Sequence, residues 1–288
     1  MNGRLQRWRL FLRFALTLCA LLILPASLAW LLALLLFFLH GLVMLASFAW
    51  LLKANGAASM ALLRAGLWEF CLYEWVFGYC QPFAEQRVPN AASAEPGLRG
   101  VLLLHGFSCN RGLWNGWMRR LRSQGRAFMA LSMEPVHGSI DAYANEIEAA
   151  VRQLRAQTGL PPLIVCHSMG GLAARAWWRK QGGEPGRIQA IVTLGTPHAG
   201  TPVAHWSGMV NVRQMRPGST WLSELALHEA TQPLPTMHCF ASDCDQIVFP
   251  TASALLPGAR HLTLPATGHL GLVFHTRVWA EVQALLAA

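Results

Sequence analysis

The ten residues from Leu163 to Leu172 constrain the fold of this chain more than any other stretch. The apolar residues Leu163, Ile164 and Val165 lead through Cys166 and His167 to Ser168, which is followed by Met169, Gly170, Gly171 and a helix-forming sequence. The pattern reads as a buried strand, a tight turn with a serine at its apex, and a helix. Such a turn packs backbone against backbone, so small residues are needed two positions either side of the serine. Gly170 meets that need, and Cys166 stands where glycine is usual. The helix that begins after the serine aims its N-terminal amides at any negative charge developing there.

The chain from Gly100 onward fits a fold that can hold such a turn. Apolar runs at 101–104, 127–131, 163–165, 190–194, 237–241 and 261–264 read as strands buried on both faces. Helical stretches are expected between them, at 113–124, 140–158, 172–181 and 272–286. This alternation predicts the α/β class, with a mainly parallel sheet between two layers of helices. Residues 201–235, rich in Trp, Met and Pro, form either a substrate-covering lid or an ordinary excursion. The adjacent Trp177 and Trp178 are expected to supply one core ring and one surface ring.

The N-terminal part has another character. Residues 14–52 contain no Asp, Glu, Lys or Arg. As helix they would extend about 60 Å, roughly twice a bilayer's hydrocarbon thickness. Trp8, Trp30 and Trp50 are about one membrane thickness apart, and Pro25 offers a break near the middle one. Arg4, Arg7, Arg9 and Arg13 precede the run, while Lys53 and Arg64 follow it. These features predict a two-helix transmembrane hairpin in a bacterial inner membrane, with both ends and the following domain in the cytoplasm. One long tilted span is the alternative, and would put the domain on the other side. The run far exceeds the apolar core of a cleaved signal peptide.

Residues 57–83 stay apolar but include Arg64, Glu69 and Glu74 at steps of five, which spreads the charges around a helix. That favours a helix lying on the membrane or against the domain that follows. Residues 88–99 read as a linker. The expected division is a membrane anchor at 1–56, an amphipathic helix and linker at 57–97, and a catalytic domain at 98–288.

The formal net charge of +9 is spread along the chain, with eight basic side chains before Gly100 and 15 after it. No basic run is interleaved with aromatics in the later part, which argues against nucleic acid as a partner. Basicity near a membrane implies attraction to anionic headgroups instead. The seven cysteines have no metal-type spacing, and single buried thiols are expected, although Cys239 and Cys244 could bridge in an oxidising compartment. No metal or organic cofactor is implied.

A serine hydroxyl becomes a useful nucleophile when a base takes its proton and an acid orients that base. Only three aspartates occur, and Asp141 precedes the serine. Asp243 and Asp245 share a turn after the fifth strand, and spacing does not separate them. Ile247 and Val248 could anchor the loop beside Asp245, which favours it. Glu184, Glu224 and Glu229 read as solvated charges. Among the later histidines, His261 falls within a strand with its ring toward a packed face, and His275 falls on the last helix. His269 lies in a loop between glycines that free the backbone to place the ring. It is the candidate base. The amides of Met169 and of Phe107, in the loop after the first strand, would form an oxyanion hole. His167 is expected to pack under the turn, His105 to brace the oxyanion loop, and His198 to be structural.

His105, Gly106 and Phe107, the 167–171 turn, the segment 194–201, Asp245 to Val248, and residues 268–271 together resemble the α/β-hydrolase superfamily. Within it they resemble the small bacterial triacylglycerol lipases and esterases, over about residues 98–288. The family pattern places the acid at the aspartate preceding the Ile–Val pair, which is Asp245. The resemblance implies a catalytic triad of Ser168, His269 and Asp245 acting on lipids or other apolar acyl esters. Acyl transfer, thioester cleavage, or binding by an inactive member of the fold are the alternatives. The first 97 residues have no counterpart in the secreted lipases, and the oligomeric state is left open.

Overall fold

The computed structural model describes residues 2–55, 60–93, 97–232 and 234–288. The expected boundary at 56/57 and Pro96 of the expected linker lie outside these residues.

Six parallel strands form one sheet in the order β2-β1-β3-β4-β5-β6. They are β1 (Val101–Leu104), β2 (Phe128–Ala130), β3 (Leu163–His167), β4 (Ala190–Leu194), β5 (Met237–Ser242) and β6 (Arg260–Leu264). Strands β1, β3, β4 and β5 are buried throughout. Side chains alternate between the two faces, as the period of two requires. Val101, Leu103, Leu163 and Val165 face one core, while Leu102, Leu104, Ile164 and Cys166 face the other.

The first core is closed by helices Asn115–Ser123 and Thr276–Ala287, and the second by Ala144–Thr158 and Met169–Lys180. The edge strand β6 is largely exposed. His261 therefore points outward, contrary to expectation, and its Nε2 is 2.7 Å from the Leu256 carbonyl oxygen. Trp177 and Trp178 are both buried, so the expected surface ring is absent from that pair. All seven cysteines are free thiols. Among its described residues, the 201–235 excursion contains a 3-10 helix, Pro202–Trp206, and two α-helices, Val210–Gln214 and Thr220–Thr231. Leu222 and Leu225 of the second α-helix are buried.

The chain runs from β1 outward to β2, then returns to the other side of β1 for β3. The reversal opens a crevice at the carboxyl ends of β1 and β3, where parallel α/β sheets place their ligand sites. The first segment meets this end of the sheet with α1 (Asn2–Ile23), α2 (Ala26–Phe37), α3 (Leu39–Asn55) and α4 (Met60–Trp75). The charge-free run thus breaks twice, at the expected Pro25 and again at Phe38. Among the described residues, no single helix is long and apolar enough to cross a membrane. Ala26–Phe37 and Gly41–Leu51 reach that apolar length together but are bent by 73°.

Helices α1, α3 and α4 grip the loops of the sheet. The Asn2 side chain donates to the carbonyls of Ser108 (3.1 Å) and Cys109 (2.6 Å). The Gln6 amide donates to the Ser108 carbonyl (3.2 Å) and to Gln81 Oε1 (2.7 Å). Met44, Phe48 and Leu51 of α3 pack with Leu62 and Ala65 of α4 against Cys244 and Phe249 of the loop after β5. Trp50 also stacks on Trp206, with ring centroids 4.6 Å apart. Buried amides on α1 and an apolar seam along α3 and α4 therefore join this segment to the loops at the crevice.

Candidate active site

Ser168 follows β3 directly with φ 54° and ψ −126°, a backbone conformation that costs an L-residue on the order of 1–3 kcal/mol. Its neighbours hold it there. The Ser168 amide donates to the Leu194 carbonyl (2.8 Å), and Thr196 Oγ1 donates to the Ser168 carbonyl (2.8 Å). The requirement for small residues is plain at Gly170. A Cβ there would lie 2.7 Å from the carbonyl oxygens of both Leu104 and His105. Cys166 is accommodated as a buried thiol, and burial keeps it protonated.

The loop after β1 lies against the serine. A Cβ on Gly106 would come within 2.8 Å of the Ser168 Cβ, so only glycine lets the loop approach this closely. His105 braces the loop as expected, accepting the Met133 amide at Nε2 (2.9 Å) and donating from Nδ1 to the Gly106 carbonyl (2.8 Å). Burial pushes its pKa down to about 4, so the ring stays neutral in this role. Phe107 follows directly, and Met169 opens the helix after the serine.

The structure separates the two candidate acids. Asp243 is exposed and accepts the Ala266 amide (3.0 Å). Asp245 is buried. Its Oδ1 accepts the amides of Ile247 (2.9 Å) and Val248 (2.8 Å), while Oδ2 accepts Nδ1–H of His269 (2.8 Å). Gly195, at φ 57°, leaves room for this pair, since a Cβ would sit 2.8 Å from Asp245 Oδ2 and 3.0 Å from His269 Nδ1. The His269–Asp245 bond leaves Nε2 as the free lone pair of the ring.

Ser168, Asp245 and His269 are all buried. Burial opposes charge on His269, but the charge and hydrogen bond of Asp245, with a contribution from Glu69, outweigh it and raise its pKa. His167 packs beside it, with ring centroids 4.7 Å apart and Nε2 3.2 Å from the His269 carbonyl oxygen. Burial and the neighbouring His269 hold His167 well below the usual histidine range. Its neutral ring can therefore steady the His269 backbone. We expect His269 to titrate above its ordinary value near 6.5. Because Asp245 stabilises the protonated ring, Asp245→Asn lowers that pKa, as followed by imidazole NMR.

Sequence reasoning missed the residues that support the loop. Glu69 on α4 is wholly buried and accepts the amides of Leu270 and Gly271. Gln246 joins Glu69 to the His269 amide. A sequence separation of about 200 residues leaves no local signal for this contact. The glycines beside His269 are also explained differently. Gly268 has no positive φ, but a Cβ there would lie 2.5 Å from Glu69 Oε2. It makes room for a carboxylate and is not needed to free the backbone.

Residues 129–248 match the family model of the PGAP1-like alpha/beta domain. No curated protein matches the chain in sequence. Among solved structures, mature lipase BlEst2 of Bacillus licheniformis is similar at TM-score 0.60 and 16% identity, covering 68% of this chain and 96% of that one. Lipase B of Aspergillus fumigatus is similar at TM-score 0.58 and 16% identity, covering 70% and 57%. The monoacylglycerol lipase of Paleococcus ferrophilus is similar at TM-score 0.50 and 16% identity, covering 69% and 98%.

The chain has the α/β-hydrolase fold. Its elbow and its Asp245–His269 pair occupy the strand ends where this fold carries its working groups. A cavity of about 230 Å³ is lined by Gln6, Arg9, Arg13, Leu39, Val43, Tyr73, Phe77 and Ser108, and reaches the candidate site only through Ser108, next to Phe107, with none of the three candidate triad residues in its wall. It lies between α1, α3, the end of α4 and the loop that carries Phe107. A larger cavity, about 700 Å³, lies beneath Thr220–Thr231 and is lined by none of the three candidate triad residues. There Glu229 accepts two hydrogen bonds from the buried Arg175 (2.8 and 2.7 Å), so it is not the solvated charge expected. Among the described residues, no group of three His, Cys, Asp or Glu side chains could hold a metal.

Proposed function

We propose that the chain is a membrane-associated serine hydrolase that cleaves carboxylic esters with apolar acyl groups. The observation that carries this reading is the buried Asp245–His269 hydrogen bond, at the same end of the sheet as a serine held at positive φ in a strand-to-helix turn. The likeness of the fold to lipases supports an ester substrate. In the proposed reaction, His269 Nε2 takes the Ser168 proton as Oγ attacks the ester carbonyl. Asp245 stabilises the imidazolium, and the amides of Phe107 and Met169 receive the oxyanion. Collapse of the tetrahedral intermediate expels the alcohol, which takes its proton from His269. Water, deprotonated by the same histidine, then releases the acid and restores the serine.

The apolar walls of the cavity beside Ser108, formed by Leu39, Val43, Tyr73 and Phe77, suit an acyl chain. Membrane association is supported by the outer surface of the first helices. Trp8, Phe14, Leu22, Ile23, Trp30 and Phe37 are each more than 60% exposed. The arms from Phe14 to Ile23 and through α2 extend about 15–18 Å each, half the hydrocarbon core, which favours insertion into one leaflet over the expected crossing. The test is hydrolysis of p-nitrophenyl esters from acetate to palmitate by the detergent-solubilised full chain, with flotation on anionic liposomes. We expect turnover that favours medium or long acyl chains, and co-flotation. Failure to hydrolyse any of the esters would contradict the enzymatic reading, and failure to float would contradict membrane association.

A further inference from the structure

The histidine loop is held by a residue that precedes it by 200 positions. Glu69 is one of two acidic residues on α4, and its side chain has no solvent exposure. Its Oε1 accepts the Leu270 amide and the Gln246 side-chain amide (3.1 Å), and its Oε2 accepts the Gly271 amide (2.9 Å). Gln246 Oε1 in turn accepts the His269 amide (3.0 Å). Three successive backbone N–H groups, at 269, 270 and 271, are thus tied to one carboxylate, the first through Gln246. The loop has the space to come this close because Gly268 and Gly271 lack side chains. Such a shell fixes where the imidazole stands, and displacement of a catalytic base by 1 Å can cost about 100-fold in rate.

We propose that Glu69 is a positioning residue for His269, keeping its ring between Asp245 and Ser168, and that helix α4 therefore belongs to the working site. The inference rests on the hydrolase reading above. All three donors reaching Glu69 require acceptors, which favours its carboxylate form, whereas burial favours the neutral acid and moves its pKa up to about 7. The charged or titratable groups around the pair are Asp245 and His167 beside His269, and Tyr73 one turn along α4 from Glu69. When ionised, Glu69 adds a second negative charge that favours protonated His269.

The test compares full-length wild type, Glu69→Gln and Gly268→Ala in detergent, using p-nitrophenyl butyrate turnover across pH and the rate of labelling by a fluorophosphonate. The Gln variant keeps the length but loses the charge and sets an NH2 or a lone oxygen against the loop amides. The Ala variant keeps the charge but pushes the carboxylate off the loop. We expect kcat to fall about 10- to 100-fold in both with KM little changed, and labelling to slow in step. Removing the charge lowers the His269 pKa, so the acid limb of kcat/KM moves to lower pH in Glu69→Gln. A kcat within about twofold of wild type in either folded variant would overturn the proposal. So would loss that follows the unfolded fraction with an unmoved acid limb. If Glu69→Gln does not fold, Gly268→Ala decides by the same kcat criterion. Absence of labelling in wild type reports failure of the hydrolase reading itself, and is thereby distinct from failure of the Glu69 proposal.

Discussion

Replacing Ser168 with alanine is expected to lower kcat for ester hydrolysis by a factor on the order of a million, leaving a residual rate above that in water. The residual would come from the proposed oxyanion donors, the Phe107 and Met169 amides, which the substitution leaves in place. Alanine keeps the Cβ and leaves in place the Leu194 and Thr196 contacts that hold position 168 at φ 54°, so the backbone is expected to stay as it is. The thermal midpoint should therefore stay near that of wild type while activity is lost. Steady-state turnover and a melting curve on the same preparation check both parts. A Ser168→Ala protein that turned over at the wild-type rate would remove Ser168 from the reaction.

Asp245→Asn carries the next largest effect, an expected fall of about 10⁴ in kcat with modest change in KM. The amide can still occupy the place between Val248 and His269, but its NH2 faces Nδ1–H and selects the wrong tautomer or orientation of the ring. It also removes the charge that stabilises the imidazolium as the serine gives up its proton. Asp243→Asn is the matched control, because Asp243 is exposed and its recorded contacts lie within the turn and at Ala266. Its activity should stay within about threefold of wild type, as is usual for surface substitutions. Comparable losses in both variants would contradict the assignment of the acid.

The sheet was legible because β1, β3, β4 and β5 are buried on both faces and so carry uninterrupted apolar runs. The elbow was legible because close packing at Gly170 demands a small residue at a defined spacing. The loop placement of His269 could be read from its position between the last strand and the last helices. The edge strand misled because Leu262 and Leu264 were read as part of a buried run, although Arg260, His261 and Thr263 interrupt it and are exposed. Glu69 was out of reach for a different reason. Three charges at steps of five imply scatter around a helix, yet the fold creates for one of them a set of buried donors on a loop 200 residues away. The charge-free run likewise hid its second break at Phe38, where no proline or glycine marks the bend.

These contacts change the standing of the first helices. A detachable anchor would leave the strand-end loops unaltered, but here Asn2 and Gln6 hold the loop after Phe107, and Glu69 holds the loop around His269. The same segment that exposes apolar surface at its outer end thus braces both sides of the candidate site at its inner end.

The most direct test of the central claim is mass-spectrometric mapping of the full chain after reaction with a fluorophosphonate. The account predicts one phosphonyl adduct, on the tryptic peptide that contains Ser168, near one equivalent per chain and absent after heat denaturation before labelling. An intact protein that gives no adduct, or one that is modified elsewhere with Ser168 untouched, would contradict it.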